Sequence, residues 1–318
     1  MNKTVHITYC SDKICLRPMV ASAISAIRNL NSKCQAHIHL LYRNIELSAL
    51  IELQDFFWKK FQAKFDFYAV PKKLAKKFNN KKCPQKYISD AMFDRLFIHK
   101  LIPKLNKTIY IDADTIVTGD LSELYYTDLN DNYIGAVIEP PFEFDEKTHG
   151  YDAIRHMKLD IDTFYFNSGV LLMDLNKLRK INFIKKCQNY FNKYINNIVW
   201  PDQDILNGVL GEKTLFIAPK FNSSVYDNIM TSQDYYEYLE FYGKSLCYSD
   251  DEVQTSINQP VILHYVGAYK PWIHPGKYSL HKDQYWKYYN MSPWKTKDST
   301  TIEKILLNKK NAGGCHVA

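Results

Sequence analysis

Thr108-Ile109-Tyr110-Ile111-Asp112-Ala113-Asp114-Thr115-Ile116-Val117 is the stretch on which the reading of this chain turns. Residues 108–111 are a short apolar run of β-branched and aromatic side chains, which predicts a buried strand. Asp112 and Asp114 follow at its carboxyl end, where open α/β sheets place their ligands. If the strand continued regularly, residues i and i+2 would point the same way. Hard divalent cations such as Mn²⁺ and Mg²⁺ take oxygen ligands and bridge to diphosphates, so the aspartate pair is a candidate cation site. The same D-x-D spacing also occurs in exposed turns, and its companions must decide between the two.

Outward from this strand, segments alternate in type. Strands are expected at 5–9, 36–41 and 65–70, with helices over 18–27, where Pro18 falls in the first turn, and over 48–60. A helix at 89–104 leads into the 108–111 strand. Further strands are expected at 133–138 and 169–173, and helices over 175–195 and 203–210. This alternation predicts an α/β fold built largely from βαβ units with a parallel sheet. No internal repeat or low-complexity linker interrupts it, so residues 1–280 read as one domain and 281–318 as a C-terminal helical and aromatic extension.

The chain has 318 residues, 46% hydrophobic and 24% charged, a globular composition that excludes a disordered or fibrous protein. No apolar run approaches the roughly 18–20 residues of a membrane-spanning helix. Met1-Asn2-Lys3-Thr4-Val5-His6-Ile7 enters a strand pattern without the features of a secretory signal, and the expected location is cytoplasmic. Lys and Arg number 41 against 34 Asp and Glu, a net charge of +7 that suits an anionic partner without naming it. No nucleic-acid motif accompanies the charge, so nucleic acid is not an expected partner. The seven cysteines are scattered and lack C-x-x-C spacing, which reads as reduced thiols. Two segments differ in character. Residues 71–86 hold seven lysines and no acid, too polar and broken for a core element. From His281 onward aromatics mix with lysines and end in an amphipathic piece at 302–307. That mixture suits either an interfacial helix or aromatics packed back onto the domain.

Three other stretches carry chemistry. Val261-Ile262-Leu263-His264 is an apolar strand ending in an imidazole, a nitrogen ligand that Mn²⁺ tolerates better than Mg²⁺ does. Gly267 lets backbone N–H groups approach an anion, and Lys270 offers a point charge for phosphate. Pro201-Asp202-Gln203-Asp204 reads as a helix N-terminus, where simple capping is the alternative to function. Asp12 and Gly169 also suit ordinary turns, and Arg95 a surface position on an amphipathic helix.

Six motifs occur in order: Cys10-Ser11-Asp12, Phe93-Asp94-Arg95-Leu96, Tyr110 to Asp114, Tyr165-Phe166-Asn167-Ser168-Gly169-Val170, Pro201 to Asn207, and His264-Tyr265-Val266-Gly267-Ala268-Tyr269-Lys270-Pro271-Trp272. Through them the sequence, from about residue 5 to 294, resembles glycosyltransferase family 8 and its lipopolysaccharide galactosyl- and glucosyltransferase branch. The resemblance implies a single GT-A domain with a mixed, mainly parallel sheet. It implies retaining transfer of galactose or glucose from a UDP-sugar to a saccharide or glycolipid acceptor of the lipopolysaccharide core, with a protein or other cell-surface polymer as the alternative acceptor for the same chemistry. It also implies work at the cytoplasmic face of the inner membrane, with peripheral membrane contact. Asp112, Asp114 and His264 would hold Mn²⁺, with Mg²⁺ the alternative ion. Cys10, Asp12, Arg95, Asp112, Ala113, Asn167, Ser168, Asp202, Gln203, Gly267 and Lys270 would bind the donor. Arg95 and Gln203 would stand at the reacting centre. An amide is a poor nucleophile, so Gln203 favours front-face attack over a covalent intermediate, with Asp204 as the fallback nucleophile. The sequence departs from the branch at Glu139, where many members have Asp, followed by Pro140-Pro141 and an individual loop over 142–158.

Overall fold

A computed structural model describes residues 3–78, 90–139, 157, 165–224, 248–267, 270–273 and 281–295. Its central sheet has seven strands: β1 (Lys3–Ser11), β2 (Cys34–Tyr42), β3 (Lys64–Ala69), β4 (Lys107–Ile111), β6 (Ile134–Ile138), β7 (Phe166–Asp174) and β8 (Thr214–Phe216), in the order β3-β2-β1-β4-β7-β6-β8. Pairs β1–β2, β2–β3, β1–β4 and β6–β8 are parallel, while β7 runs antiparallel to both β4 and β6. The sheet is therefore mixed and mainly parallel. A second sheet joins β5 (Thr115–Val117), β9 (Ser223–Ser224) and β10 (Ile262–His264), with β10 in the middle.

Side-chain alternation gives the central sheet two apolar faces. Val5, Ile7 and Tyr9 of β1 join Ile38 and Leu40 of β2 in one core layer. Met19, Val20 and Ile24 of helix α1 (Leu16–Asn29) and Leu50, Leu53 and Phe57 of α2 (Leu47–Phe61) cover it. Cys10, Leu41, Tyr110, Leu171 and Met173 face the other way. They pack with Phe93, Phe97, residues of α3 (Phe183–Tyr194) and residues of α4 (Pro201–Leu210). Two buried serines on α1 fasten the second sheet to the first. Ser22 Oγ lies 2.8 Å from Thr115 Oγ1, and Ser25 Oγ accepts from the Val117 N–H at 2.8 Å. The helix Lys282–Tyr289, α5, buries Tyr285, Tyr288 and Tyr289 in the layer that holds α1. Asn29 Nδ2 donates to the Tyr288 hydroxyl at 2.7 Å. No helix among the described residues is long and apolar enough to cross a membrane.

Three expectations need correction. The helix expected over 89–104 is a 3₁₀ segment, Asp90–Phe97, followed by a single α-turn, Ile98–Leu101. Phe93, Asp94, Arg95, Leu96 and Phe97 are all buried, so this segment has no broad solvent face and is not an amphipathic helix. The helix expected over 175–195 is broken at Asn182, whose φ of +52° starts a new N-terminus. In the lysine-rich stretch, Leu74 and Phe78 are buried and Phe78 stacks on Phe93 at 5.4 Å, so its apolar residues do enter the core. Residues 79–86, the piece at 302–307 and, apart from Met157, the 142–158 run lie outside the described residues.

Arg43, just past β2, grips Asp94 with Nε at 2.7 and 2.9 Å from the two carboxylate oxygens and a further contact from Nη2. This pins the 3₁₀ segment beside Arg95. Asp94 is fully enclosed, and burial pushes its carboxyl up to about 6 against the pull of Arg43. At the amino end of the same sheet face the side chains turn polar. His6, pushed down to about 4, and His39, pushed down to about 2, are held neutral at pH 7 by burial and neighbouring imidazoles.

Replacing Arg43 with Ala leaves Asp94 without its cation, a change that costs about 3–5 kcal/mol when a buried charge is stranded. Below about pH 6 the folded Asp94 carries a proton in either protein, and the deficit is small. Above it the wild-type carboxylate is charged and paired whereas the variant must bury it alone or keep a proton, so the deficit opens as pH rises. Chemical denaturation of both proteins at pH 5 and pH 8 measures the difference. Equal losses at the two values would contradict the assignment.

Candidate active site

The second sheet brings the D-x-D segment to His264. β4 ends at Ile111, the chain leaves the pleat, and β5 starts directly after Asp114. β10 runs antiparallel to β5 with His264 opposite Thr115, and the Tyr265 N–H donates to the Asp114 carbonyl at 2.9 Å. One donor atom each from Asp112, Asp114 and His264 falls within 4.8 Å of the others. His264 Nε2 is 3.4 Å from Asp114 Oδ1. Two carboxylate donors and one imidazole suit a hard divalent cation with some tolerance for nitrogen, so the residues present fit such an ion.

The imidazole is held in one orientation by a relay of hydrogen bonds from Gly169 through Asn167 and Asn222. The Gly169 N–H, an unambiguous donor, bonds Asn167 Oδ1 at 2.8 Å. That leaves Asn167 Nδ2 to donate to the Glu139 carboxylate. Asn167 Oδ1 also accepts from Asn222 Nδ2 at 2.8 Å, so Asn222 presents its oxygen to His264 Nδ1 at 2.9 Å. Nδ1 therefore carries the proton, and the Nε2 lone pair faces Asp112 and Asp114. All of Glu139, Asn167, Asn222 and His264 are buried. Asn222 is a site residue that the sequence reading missed. No local signal marks it, because its role depends on a contact 42 residues away.

Gly169 is required for a steric reason. A Cβ built there would lie 2.2 Å from His264 Cε1. Its carbonyl also accepts from the Asp112 N–H at 2.8 Å, so one residue touches both the aspartate segment and the imidazole.

Cations balance the acids. Lys270 Nζ lies 2.6 Å from Asp114 Oδ2 and also donates to the Tyr265 carbonyl. Burial works against ionisation of Asp114, but Lys270 and His264 outweigh it and hold its carboxyl well below the usual carboxylate range. Burial likewise opposes a charge on His264, while Asp114 raises its pKa, so a proton competes with a metal ion for Nε2. Arg95 is buried, not on the surface. Its Nη2 donates to Asp112 Oδ1 at 2.7 Å, its Nη1 to the Ser168 carbonyl and hydroxyl at 2.6 and 2.9 Å, and its Nε lies 3.0 Å from Asp202. Tyr110 adds a hydroxyl donor to Asp112 and a ring 4.6 Å below the guanidinium.

The N-terminus of α4 completes the wall. Asp202 accepts from Ser168 Oγ at 3.0 Å, and Gln203 Oε1 accepts from the Ser168 N–H at 2.9 Å. Asp204 faces elsewhere. It is fully enclosed and accepts from the Tyr165 hydroxyl and from the Val199 and Trp200 N–H groups at 2.8 and 3.0 Å. Burial pushes its carboxyl up to about 7 despite those donors.

Asp12 Oδ1 accepts from the Ile14 and Cys15 N–H groups at 2.8 and 3.1 Å, closing the turn that precedes α1. Burial, then Asp12 and Asp114, push the Cys15 thiol up to about 12, which places that turn beside the aspartate pair. Cys10 is buried beneath the site with its thiol pushed up by burial, and Ala113 is half-buried between the two aspartates. Gly267 adopts φ +75°, a left-handed conformation that favours glycine.

Comparison with known proteins gives the arrangement relatives. The family model of glycosyl transferase family 8 matches residues 6–275. General stress protein A of Bacillus subtilis is 24% identical over 307 residues, 95% of this chain and 99% of that protein. Lipopolysaccharide 1,2-glucosyltransferase of Escherichia coli is 30% identical over 227 residues, 70% of this chain and 60% of that protein. Among solved structures, galactosyltransferase LgtC in complex with donor and acceptor sugar analogues aligns with a TM-score of 0.73 at 20% identity, covering 94% of this chain and all of that one. That likeness identifies the architecture as GT-A.

Asn222→Ala removes the acceptor for His264 Nδ1 and one of the two donors to Asn167 Oδ1, leaving only the Gly169 N–H. Losing such a supporting partner lowers metal affinity about 10–100-fold. Gly169→Ala displaces the ring directly and gives a loss of the same order. Isothermal titration with Mn²⁺ measures both, and an Asn222→Ala protein that binds Mn²⁺ as tightly as wild type refutes the relay.

Proposed function

The chain belongs to glycosyl transferase family 8, whose members are retaining glycosyltransferases, and we propose that it moves galactose or glucose from a UDP-sugar to a saccharide of the lipopolysaccharide core. The observation that carries this reading is the convergence of Asp112, Asp114 and His264 at the carboxyl ends of the strands, beside Lys270 and Gly267. The acceptor assignment is supported by the likeness to the Escherichia coli glucosyltransferase. The net charge of +7 favours an anionic, phosphorylated acceptor and peripheral contact with an anionic membrane surface.

A divalent ion, Mn²⁺ in this proposal, neutralises charge on the departing diphosphate when bound. Lys270 adds a second positive charge for the same oxygens, and the left-handed turn at Gly267 brings backbone N–H groups close to them. Asp12 binds the uracil. Cys10 and Ala113 floor and flank the donor. Arg95, Asn167, Ser168, Asp202 and Gln203 surround the transferred sugar, and Arg95 and Gln203 stand at the reacting centre.

Retention of configuration then proceeds by front-face attack. Gln203 is an amide, suited to stabilising an oxocarbenium-like state and not to forming a lasting ester. Asp204, the fallback nucleophile, has both carboxylate oxygens engaged with Tyr165, Val199 and Trp200, so in this proposal it is a positioning residue that fixes the start of α4.

A panel of radiolabelled UDP-sugars with Mn²⁺ or Mg²⁺, with and without core oligosaccharide, tests the proposal. UDP release from UDP-galactose or UDP-glucose is expected, rising with acceptor. It falls at least about 100-fold in Asp114→Asn, as on removal of one transition-state stabiliser. No release from any UDP-sugar, or an undiminished Asp114→Asn protein, overturns it.

A further inference from the structure

We propose that His6, His37 and His39 form a second metal site, separate from the aspartate pair, for a borderline divalent transition ion of the zinc class. His6 on β1 is the register partner of His37 on β2, and His39 lies two residues further along β2, so all three project from one face of the sheet. The site is set back from the proposed donor site. Thr108 Oγ1 donates to the His6 carbonyl, and Asp112 lies four residues beyond Thr108, roughly 13 Å at strand rise.

The geometry matches coordination. One ring nitrogen from each histidine falls within 4.8 Å of the others. His6 Nδ1 and His39 Nε2 are 3.0 Å apart. Two imidazole nitrogens on a tetrahedral zinc ion, with bonds of about 2.0–2.1 Å, stand about 3.3 Å apart. A small adjustment therefore converts a nitrogen–nitrogen contact into a ligand pair. Two of the three rings are also backed as metal-bound histidines usually are. Asp66 of β3 accepts from His37 Nε2 at 2.7 Å, and the Tyr68 hydroxyl lies 3.3 Å from His39 Nδ1. Those partners engage Nε2 of His37 and Nδ1 of His39 and leave the other nitrogen of each of these two rings for an ion, while His6 offers Nδ1. His37 and Asp66 keep 17% and 47% of their side chains exposed, which gives an ion a route in from solvent.

The donor set selects the ion. Three imidazoles without a thiolate or a directly placed carboxylate suit zinc, nickel or copper, whereas Mn²⁺ and Mg²⁺ prefer the oxygen-rich aspartate pair. A fourth position is left to water. An ion held there ties β1 to β2, and through Asp66 to β3, at the edge of the sheet.

The test uses the untagged full-length chain, first stripped with chelator. One equivalent of Zn²⁺ is expected to bind and, at a hundredfold excess over Kd, to raise the unfolding midpoint by roughly 5 °C or more. Asp114→Asn keeps that response. His37→Gln and the double variant His6→Gln/His39→Gln lose it, while His37→Gln retains UDP-sugar turnover. Co²⁺ added to the wild-type chain gives the intense visible bands of a tetrahedral site, a readout that needs no variant to fold. Stabilisation that survives in His37→Gln, that disappears in Asp114→Asn, or Co²⁺ spectra without tetrahedral bands each overturn the proposal.

Discussion

The candidate active site depends on the absence of one side chain. Gly169 stands on β7 where the backbone of the aspartate segment and the ring of His264 meet, accepting from one and passing under the other. The 2.2 Å approach that a Cβ would make to the imidazole is far inside van der Waals contact, and the offending Cε1 is bonded to the Nδ1 that Asn222 holds. Neither partner has slack. The strand cannot retreat without breaking its antiparallel pairing to β4, and the ring cannot rotate without abandoning its hydrogen bond. Close approach of two sheets at a strand end is thus the condition on which the three candidate ligands converge.

The same crowding makes charge balance a structural problem. Asp112, Asp114, Asp202 and Glu139 lie in one neighbourhood with limited access to water, and buried carboxylates persist only when paired and hydrogen-bonded. Arg95 answers for two of them at once. A guanidinium has five donors in a fixed fork, and here it spans from Asp112 to Asp202 through both polar groups of Ser168. Lysine cannot replace that planar reach. Arg43 and Asp94 then brace the 3₁₀ segment that delivers Arg95, so the ion pair outside the site sets the aim of the cation inside it.

How much of this was legible in the sequence follows from the range of each interaction. Strands β1 to β4 and helices α1 and α2 were readable because their alternation and periodicity are local. The aspartate pair, His264, Gly267 and Lys270 were readable as motifs at strand ends. Helix Asp250–Asn258 had a local signal that went unread, the capping box of Ser249 with Glu252. The 3₁₀ form of Asp90–Phe97 was not readable, since it reflects burial on all sides, which the sequence does not announce. β5, β8 and β9 are two or three residues long and exist only through their partners. Asn222 belongs with them: an asparagine in a loop says nothing until His264 and Asn167 are placed on either side of it.

The two candidate metal centres show how one sheet presents different donor sets. Mid-strand, the pleat dictates which side chains share a face, so residues i and i+2 of β2 and the register partner on β1 stand together whatever their type, and three histidines there can only make a nitrogen cluster. At the strand end the pleat has finished. Asp112 and Asp114 are released from it, and the third donor comes from another sheet by way of the β5–β10 pairing. A site assembled across two sheets needs bracing at each member, which the Gly169, Asn167 and Asn222 contacts supply, whereas a site within two adjacent strands inherits its rigidity from the ladder. The difference in construction accounts for the dense polar network around the aspartate pair, while the histidine rings take their side-chain hydrogen bonds, among the described residues, from one another and from Asp66 and Tyr68.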